Sequence, residues 1–205
     1  MSGLGELGRG LWRWTAPHPH WSPDAAPESP ADWPEEVGSV LYDGDDATVL
    51  IDPLLPDGDE GFLSGLDAHV RARALPVAIL TTIKFHRRSR DELAGRYSAR
   101  TSRARQTLPA GVRSFPIRGA GETMFWLAAH RALVPGDRIM GAAGGGLRLC
   151  PESWLGYLSS GMSLTGLAVR LRPLLELPIE SVLVSHGEPV RRDGRAALAA
   201  ALDLG

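Results

Sequence analysis

Three side chains in this chain are suited to holding a metal ion, and each follows an apolar run. Asp137 closes Ala132-Leu-Val-Pro-Gly-Asp137, and His186 closes Ser181-Val-Leu-Val-Ser-His186. His86 comes shortly after Val77-Ala-Ile-Leu80. In layered α/β proteins, buried strands carry site residues at their carboxyl edges. One such phrase is common. Three of them predict a single pocket fed by three strand ends, in which a carboxylate and two imidazoles offer oxygen and nitrogen donors.

The elements that must position these groups are readable from the hydrophobic pattern. Val37–Tyr42 and Thr48–Asp52 read as the two strands of a hairpin around Gly44-Asp45-Asp46. Apolar residues at 62, 63, 66, 70 and 74 predict an amphipathic helix over 62–74, and Val77–Leu80 is a short buried strand. Ser89 followed by Glu92 has the spacing of a capping box opening a helix to Tyr97. Strands are predicted at Val112–Ile117, Thr123–Leu127 and Ala132–Val134, with His130-Arg131 turning between the last two. Gly141–Gly146 reads as a flexible Gly/Ala loop and lacks the Lys-Ser/Thr ending of a phosphate loop. A helix over 164–175, a strand over 181–184 and a closing helix over 193–202, capped by Asp193, complete the chain.

With 205 residues, 43% hydrophobic and 22% charged, the chain can bury one real core. A net charge of −2 excludes a global pull toward nucleic acid or membrane, and no apolar run approaches the roughly 18 residues of a span. The basic clusters Arg87, Arg88, Arg90 and Arg100, Arg103, Arg105 have few aromatics between them and read as solvated or salt-bridged surface. The single cysteine, Cys150, allows neither an intrachain disulfide nor a cysteine-based zinc site, and reads as a buried structural thiol. That cysteine usage, with no basic-then-apolar leader at the start, predicts a cytoplasmic protein. The Ala/Arg/Gly-rich composition, with Lys84 as its one lysine, points to a GC-rich bacterial genome.

Residues 1–36 stand apart. Trp12, Trp14, Trp21 and Trp33 lie among six prolines, a density that forbids a long helix, while the indoles argue against disorder. This stretch is predicted to be an ordered, extended N-terminal arm that packs across a single domain over 37–205. The arm's tryptophans need burial, on their own domain or on a neighbouring copy in a homo-oligomer. His18 and His20 in Pro17-His-Pro-His20 are read as loop residues, as is His130, and His69 as a helix-surface residue.

From residue 37 onward the chain resembles the metallo-β-lactamase fold. The resemblance rests on Leu50-Ile-Asp-Pro53, Leu80-Thr-Thr82, Arg131-Ala-Leu-Val-Pro-Gly-Asp137 and Ser185-His-Gly187, in that order. It implies an α/β fold, a four-layer αββα sandwich with helices outside two sheets. It also implies a hydrolase of esters, lactams, thioesters or phosphodiesters. The family's His-x-His-x-Asp-His signature is degenerate here: Lys84 stands for the first histidine, His86 is kept, Arg88 stands for the aspartate and Ser89 for the last histidine. In the family's Gly-His-Thr phrase the chain has Gly121-Glu-Thr123, so Glu122 takes a histidine's place. Asp137 matches the bridging aspartate and His186 the final histidine.

Arginine stays protonated, so Arg88 puts a fixed positive charge where a second cation would sit, and a two-metal site is not expected. Two readings remain. In the first, His86, Glu122, Asp137 and His186 hold one zinc, iron or manganese ion. Asp137 is then the catalytic carboxylate acting on water, and Lys84 and Arg88 neutralise an anionic group on an unknown small-molecule substrate. In the second, no ion binds, the cationic side chains pair with Asp137, and the pocket serves a binding or regulatory module.

Overall fold

The computed structural model describes residues 4–102 and 107–203, so Arg103 and Arg105 lie outside the described residues. The first sheet runs in chain order: β1 (Gly5–Gly8), β2 (Leu11–Pro17), β3 (Glu36–Asp43), β4 (Thr48–Ile51), β5 (Val77–Leu80) and β6 (Arg100–Ser102). Pairing is antiparallel from β1 to β4 and parallel from β4 through β5 to β6. In the second sheet, β7 (Val112–Ile117) and β8 (Glu122–Leu127) pair antiparallel, as do β8 and β9 (Ala132–Val134). A separate hairpin, β10 (Ile139–Ala142) and β11 (Gly146–Leu149), follows, and β12 (Ser181–Val182) lies parallel to β9 at the edge of the second sheet.

Alternate strand residues point to opposite faces, and here both faces are buried. Val40, Tyr42, Val49, Ile51 and Leu80 face the second sheet, where Phe125, Leu127, Val134 and Leu183 meet them. Their neighbours Leu41, Leu50 and Ile79 face outward under α1 (Glu60–Arg73) and α2 (Arg90–Tyr97), packing on Phe62, Leu66 and Leu93. On the far side, Met124, Trp126, Leu133 and Val182 pack under α3 (Leu164–Leu171) and α4 (Gly194–Ala201) through Leu167, Leu171 and Leu198. Three stacked apolar layers therefore separate four layers of structure, the αββα sandwich that the resemblance implies.

Several local readings need correction. The stretch over 4–36 is not an extended arm alone, for it includes two strands of the first sheet. Leu11–Pro17 is a full strand in register with β3, from Leu11 opposite Tyr42 to Pro17 opposite Glu36. The prolines begin only at 17, so nothing in 11–16 prevents ladder pairing. Gly141–Gly146 is not a loose loop but the tip of the β10–β11 hairpin. Its flanks bury Ile139, Met140, Leu147 and Leu149, and Gly144 and Gly145 supply the left-handed turn at φ +81° and +86°. Ser89 holds the N-cap position of the helix over 90–97, but its side chain makes no capping bond, because its Oγ accepts from the Leu55 amide at 2.9 Å. Asp193 makes no capping bond either. The helix from 164 ends at Leu171 and tightens into a 3-10 turn, where Pro173 cannot donate. Among the described residues no helix is long and apolar enough to cross a membrane.

Trp14 shows how firmly the N-terminal strands belong to the sandwich. Its indole is 2% exposed, donates to the Leu54 carbonyl at 2.7 Å and packs on Phe62 with ring centres 5.4 Å apart. Trp14→Ala is expected to cost about 3–5 kcal/mol in urea unfolding. A change under about 0.5 kcal/mol, as at an ordinary surface site, would mean that β2 is not part of the folded core.

Candidate metal centre

The two parallel strand pairs place the chemistry. β9 and β12 run side by side, Leu133 opposite Val182, so the chain leaving each delivers Asp137 and His186 at one rim. In the other sheet β4 and β5 run parallel, Ile51 opposite Leu80, and deliver Asp52 and Thr82. Single bridges from Val37 to His186 and from Ile83 to Glu122 close the two rims on each other. His86 arrives from a short 3-10 turn, Lys84–Arg87, that follows β5.

At this junction His86, Asp137 and His186 each offer a ligand atom, all within 4.8 Å of one another and all buried. Asp137 Oδ1 lies 2.8 Å from His86 Nε2 and 3.2 Å from His186 Nε2. Despite these distances, Oδ1 is buried without a hydrogen-bond partner. The three donors are close but not aligned as N–H donor and acceptor, the arrangement of groups that converge on a common point.

Behind them, Asp52 accepts from His86 Nδ1 at 2.8 Å and from the Thr82 amide at 2.8 Å, and the Thr82 hydroxyl donates to the same carboxylate. A carboxylate behind a metal-binding imidazole fixes its tautomer and ring orientation. His186 Nδ1 has no such partner among the described residues.

Electrostatics follows from the same packing. Burial and the nearby Arg88 charge push the His86 imidazole down, but Asp137 and Asp52 outweigh them and raise it to about 9. Burial alone would push Asp137 up; His86 and His186 instead hold its carboxyl well below the usual range. Burial pushes His186 down, against the pull of Asp137.

Glu122 does not join the donor group. Its carboxylate receives the backbone amides of Gly136 (3.0 Å), Asp137 (2.8 Å) and Arg138 (3.0 Å). Both oxygens are spent on holding the turn that aims Asp137. Gly136 is required there, since a Cβ would meet the Thr82 hydroxyl at 2.6 Å. Burial and Asp137 push the Glu122 carboxyl up to about 7, against Arg138 and the amide bonds.

Arg88 departs from the surface reading of its cluster, for it is half-buried and bonded at the site while Arg87 and Arg90 pair with Asp91 outside. It donates to Gly38 O (2.8 Å), Asp52 O (2.9 Å) and Ser185 Oγ (2.7 Å), joining both sheets. It makes no direct pair with Asp137. Lys84 is exposed, its ammonium 4.7 Å from the Phe85 ring centre and 4.8 Å from that of Tyr157.

The centre opens into a cavity of about 440 Å³. One wall is the loop over 18–35, closed by His18 N to Glu35 O (2.9 Å) and tied down by Trp154 Nε1 to Ser29 O (3.3 Å). It contributes His18, His20, Pro30 and Trp33; Phe85, Trp154 and Tyr157 form the rest. His18 and His20 therefore face the cavity but are not among the converging donors. Asp52, Thr82 and Tyr157 are the residues that sequence reasoning missed. Of these Asp52 and Thr82 left a sign, each at the end of an apolar strand in a phrase that carries the resemblance.

No protein-family model and no curated protein matches the sequence. Solved structures do match. A metallo-β-lactamase from Erythrobacter litoralis is 19% identical, with 98% of this chain and 90% of that one covered at a TM-score of 0.62. The mono-zinc form of an NDM_FIM-1-like metallo-β-lactamase from the same organism is 18% identical (98% and 94% covered, TM-score 0.61). The DIM-1 metallo-β-lactamase exposed to ceftazidime is 13% identical (97% and 96% covered, TM-score 0.59). At these identities the likeness concerns architecture, and it agrees with the layers, the strand order and the rim already described: the chain has the metallo-β-lactamase fold.

Proposed function

We propose that this protein is a hydrolase working with one metal ion held by His86, Asp137 and His186. The observation that carries this reading is the buried, unbonded Asp137 Oδ1 between two imidazole nitrogens. Two imidazoles and a carboxylate suit zinc, iron or manganese. An ion in such a set supplies Lewis acidity and makes hydroxide available near neutral pH. The chain's own residues do the positioning: Asp52 orients His86, Glu122 orients Asp137, and the aromatic walls exclude bulk water. Arg88 stands where a second cation would be, which argues for one ion rather than two. Its NH1 and NH2 groups are engaged by protein, so it acts on an anionic substrate through its field, while Lys84 at the rim is free to make contact.

A metal-free binding module is the second reading. It is favoured by the charge balance around His86, where the imidazolium and Arg88 offset Asp52 and Asp137 without an ion.

Metal analysis of protein purified without chelator separates the two. About one ion per chain is expected, lost in His86→Ala, Asp137→Ala and His186→Ala. Metal-free wild type, or full metal retention in any of the three variants, would contradict this ligand set.

The chelated protein has its own expected signature. His86 is raised from about 6.5 unfolded to about 9 folded, so its contribution to stability is complete below about pH 6.5 and disappears as pH rises through 9. An NMR titration of His86 in chelator, alongside melting curves, checks this. Asp52→Asn is expected to lower the midpoint. A wild-type midpoint below 6.5 would show that the carboxylates do not clamp the ring.

A further inference from the structure

The cavity wall holds a polarised hydroxyl that the metal reading does not use. Arg138 is fully buried at 0% exposure, beneath the cavity. Its Nε donates to Ala120 O at 3.0 Å, one NH1 hydrogen goes to Trp154 O at 3.2 Å, and NH2 donates to the Tyr157 phenol oxygen. Tyr157 itself is 44% exposed and lines the cavity. Its oxygen thus accepts a charge-assisted bond from a guanidinium that cannot reorient, and its own O–H has no acceptor among the described residues. A phenol that receives such a bond becomes a stronger donor, and a hydrogen-bond chain polarises along its length.

The surroundings define what would accept that hydrogen. Trp33, Phe85 and Trp154 offer flat apolar walls. Asp137 is the one acid among the lining residues, against the cations Arg88 and Arg138, with Lys84 at the mouth. We infer that Tyr157, positioned by Arg138, is the hydrogen-bond donor to the carbonyl or carboxylate oxygen of a small aromatic acyl compound bound in this cavity. In the hydrolase reading, on which it rests for the bond that reacts, this makes the substrate an aromatic acyl compound rather than a phosphodiester. Tyr157 is then the residue that meets negative charge developing on the acyl oxygen.

Benzoate is the probe, and the titration is run in chelator, so that it does not depend on the ion. Trp33 and Trp154 line the cavity, and their fluorescence reports binding. Benzoate is expected to bind wild type and to bind Tyr157→Phe about tenfold more weakly, the loss of a charge-assisted hydrogen bond. Toluene, which keeps the ring and lacks the oxygens, is expected to bind both equally.

Because Tyr157→Phe strips a partner from buried Arg138, a second measurement uses the intact protein. With 13C-labelled tyrosine only three Cζ signals are present, and benzoate is expected to move that of Tyr157 while leaving Tyr42 and Tyr97 in place. No benzoate binding, equal binding by a folded Tyr157→Phe, or an unmoved Tyr157 signal would each overturn the assignment. Metal content is measured separately, so a metal-free protein that binds benzoate through Tyr157 would sink the hydrolase reading and leave the acyl site standing.

Discussion

The clamping of His86 between two buried carboxylates is the constraint on which the rest of the structure turns. Asp52 holds one ring nitrogen at 2.8 Å, and Asp137 lies 2.8 Å from the other. Two carboxylates taken out of water so close together repel and lose hydration, a cost of several kcal/mol per ion unless positive charge lies among them. The imidazole, Arg88 and, in the hydrolase reading, a bound cation are the sources of that charge. Each carboxylate comes from a different sheet, so whatever compensates them also fixes how the two sheets meet at this rim.

The backbone carries the mark of that demand. Asp52 and Arg88 both have positive φ, +49° and +40°, which costs of order 1–3 kcal/mol each for residues with a Cβ. Asp52 bends at the end of β4 to turn its carboxylate onto Thr82 and His86. Arg88 bends just after the 3-10 turn to send its guanidinium back into the pocket, where three acceptors from both sheets receive it. Asp52 and Arg88 are two of the seven non-glycine residues with positive φ among the described residues, and these two frame one histidine.

The sequence made much of this legible, for specific reasons. His86, Asp137 and His186 are recognisable because each follows an apolar run, and parallel strands must release their ends at one edge. The sandwich was legible only through the resemblance, carried by Leu50-Ile-Asp-Pro53, Leu80-Thr-Thr82, Arg131–Asp137 and Ser185-His-Gly187 in that order; local pattern alone gave strands and helices without their layering. Glu122 was misread because a carboxylate's role depends on who donates to it, and the three amides of Gly136–Arg138 are fourteen to sixteen residues away. Asp52 sits in the phrase Leu50-Ile-Asp-Pro53, but nothing local says that its side chain turns inward. Strand β2 was hidden by averaging the prolines of 17–34 over the whole N-terminus. The pairing of Tyr157 with Arg138 joins two unremarkable residues, and the fold alone supplies it.

The most direct test of the central claim is anomalous diffraction from crystals grown with zinc or manganese. The account expects one anomalous peak per chain, about 2.0–2.2 Å from His86 Nε2, Asp137 Oδ1 and His186 Nε2, with Asp52 still bonded to His86 Nδ1 and no second peak near the Arg88 guanidinium. A peak beside Arg88, or none at all with Asp137 bonded squarely to an imidazole N–H, would contradict it.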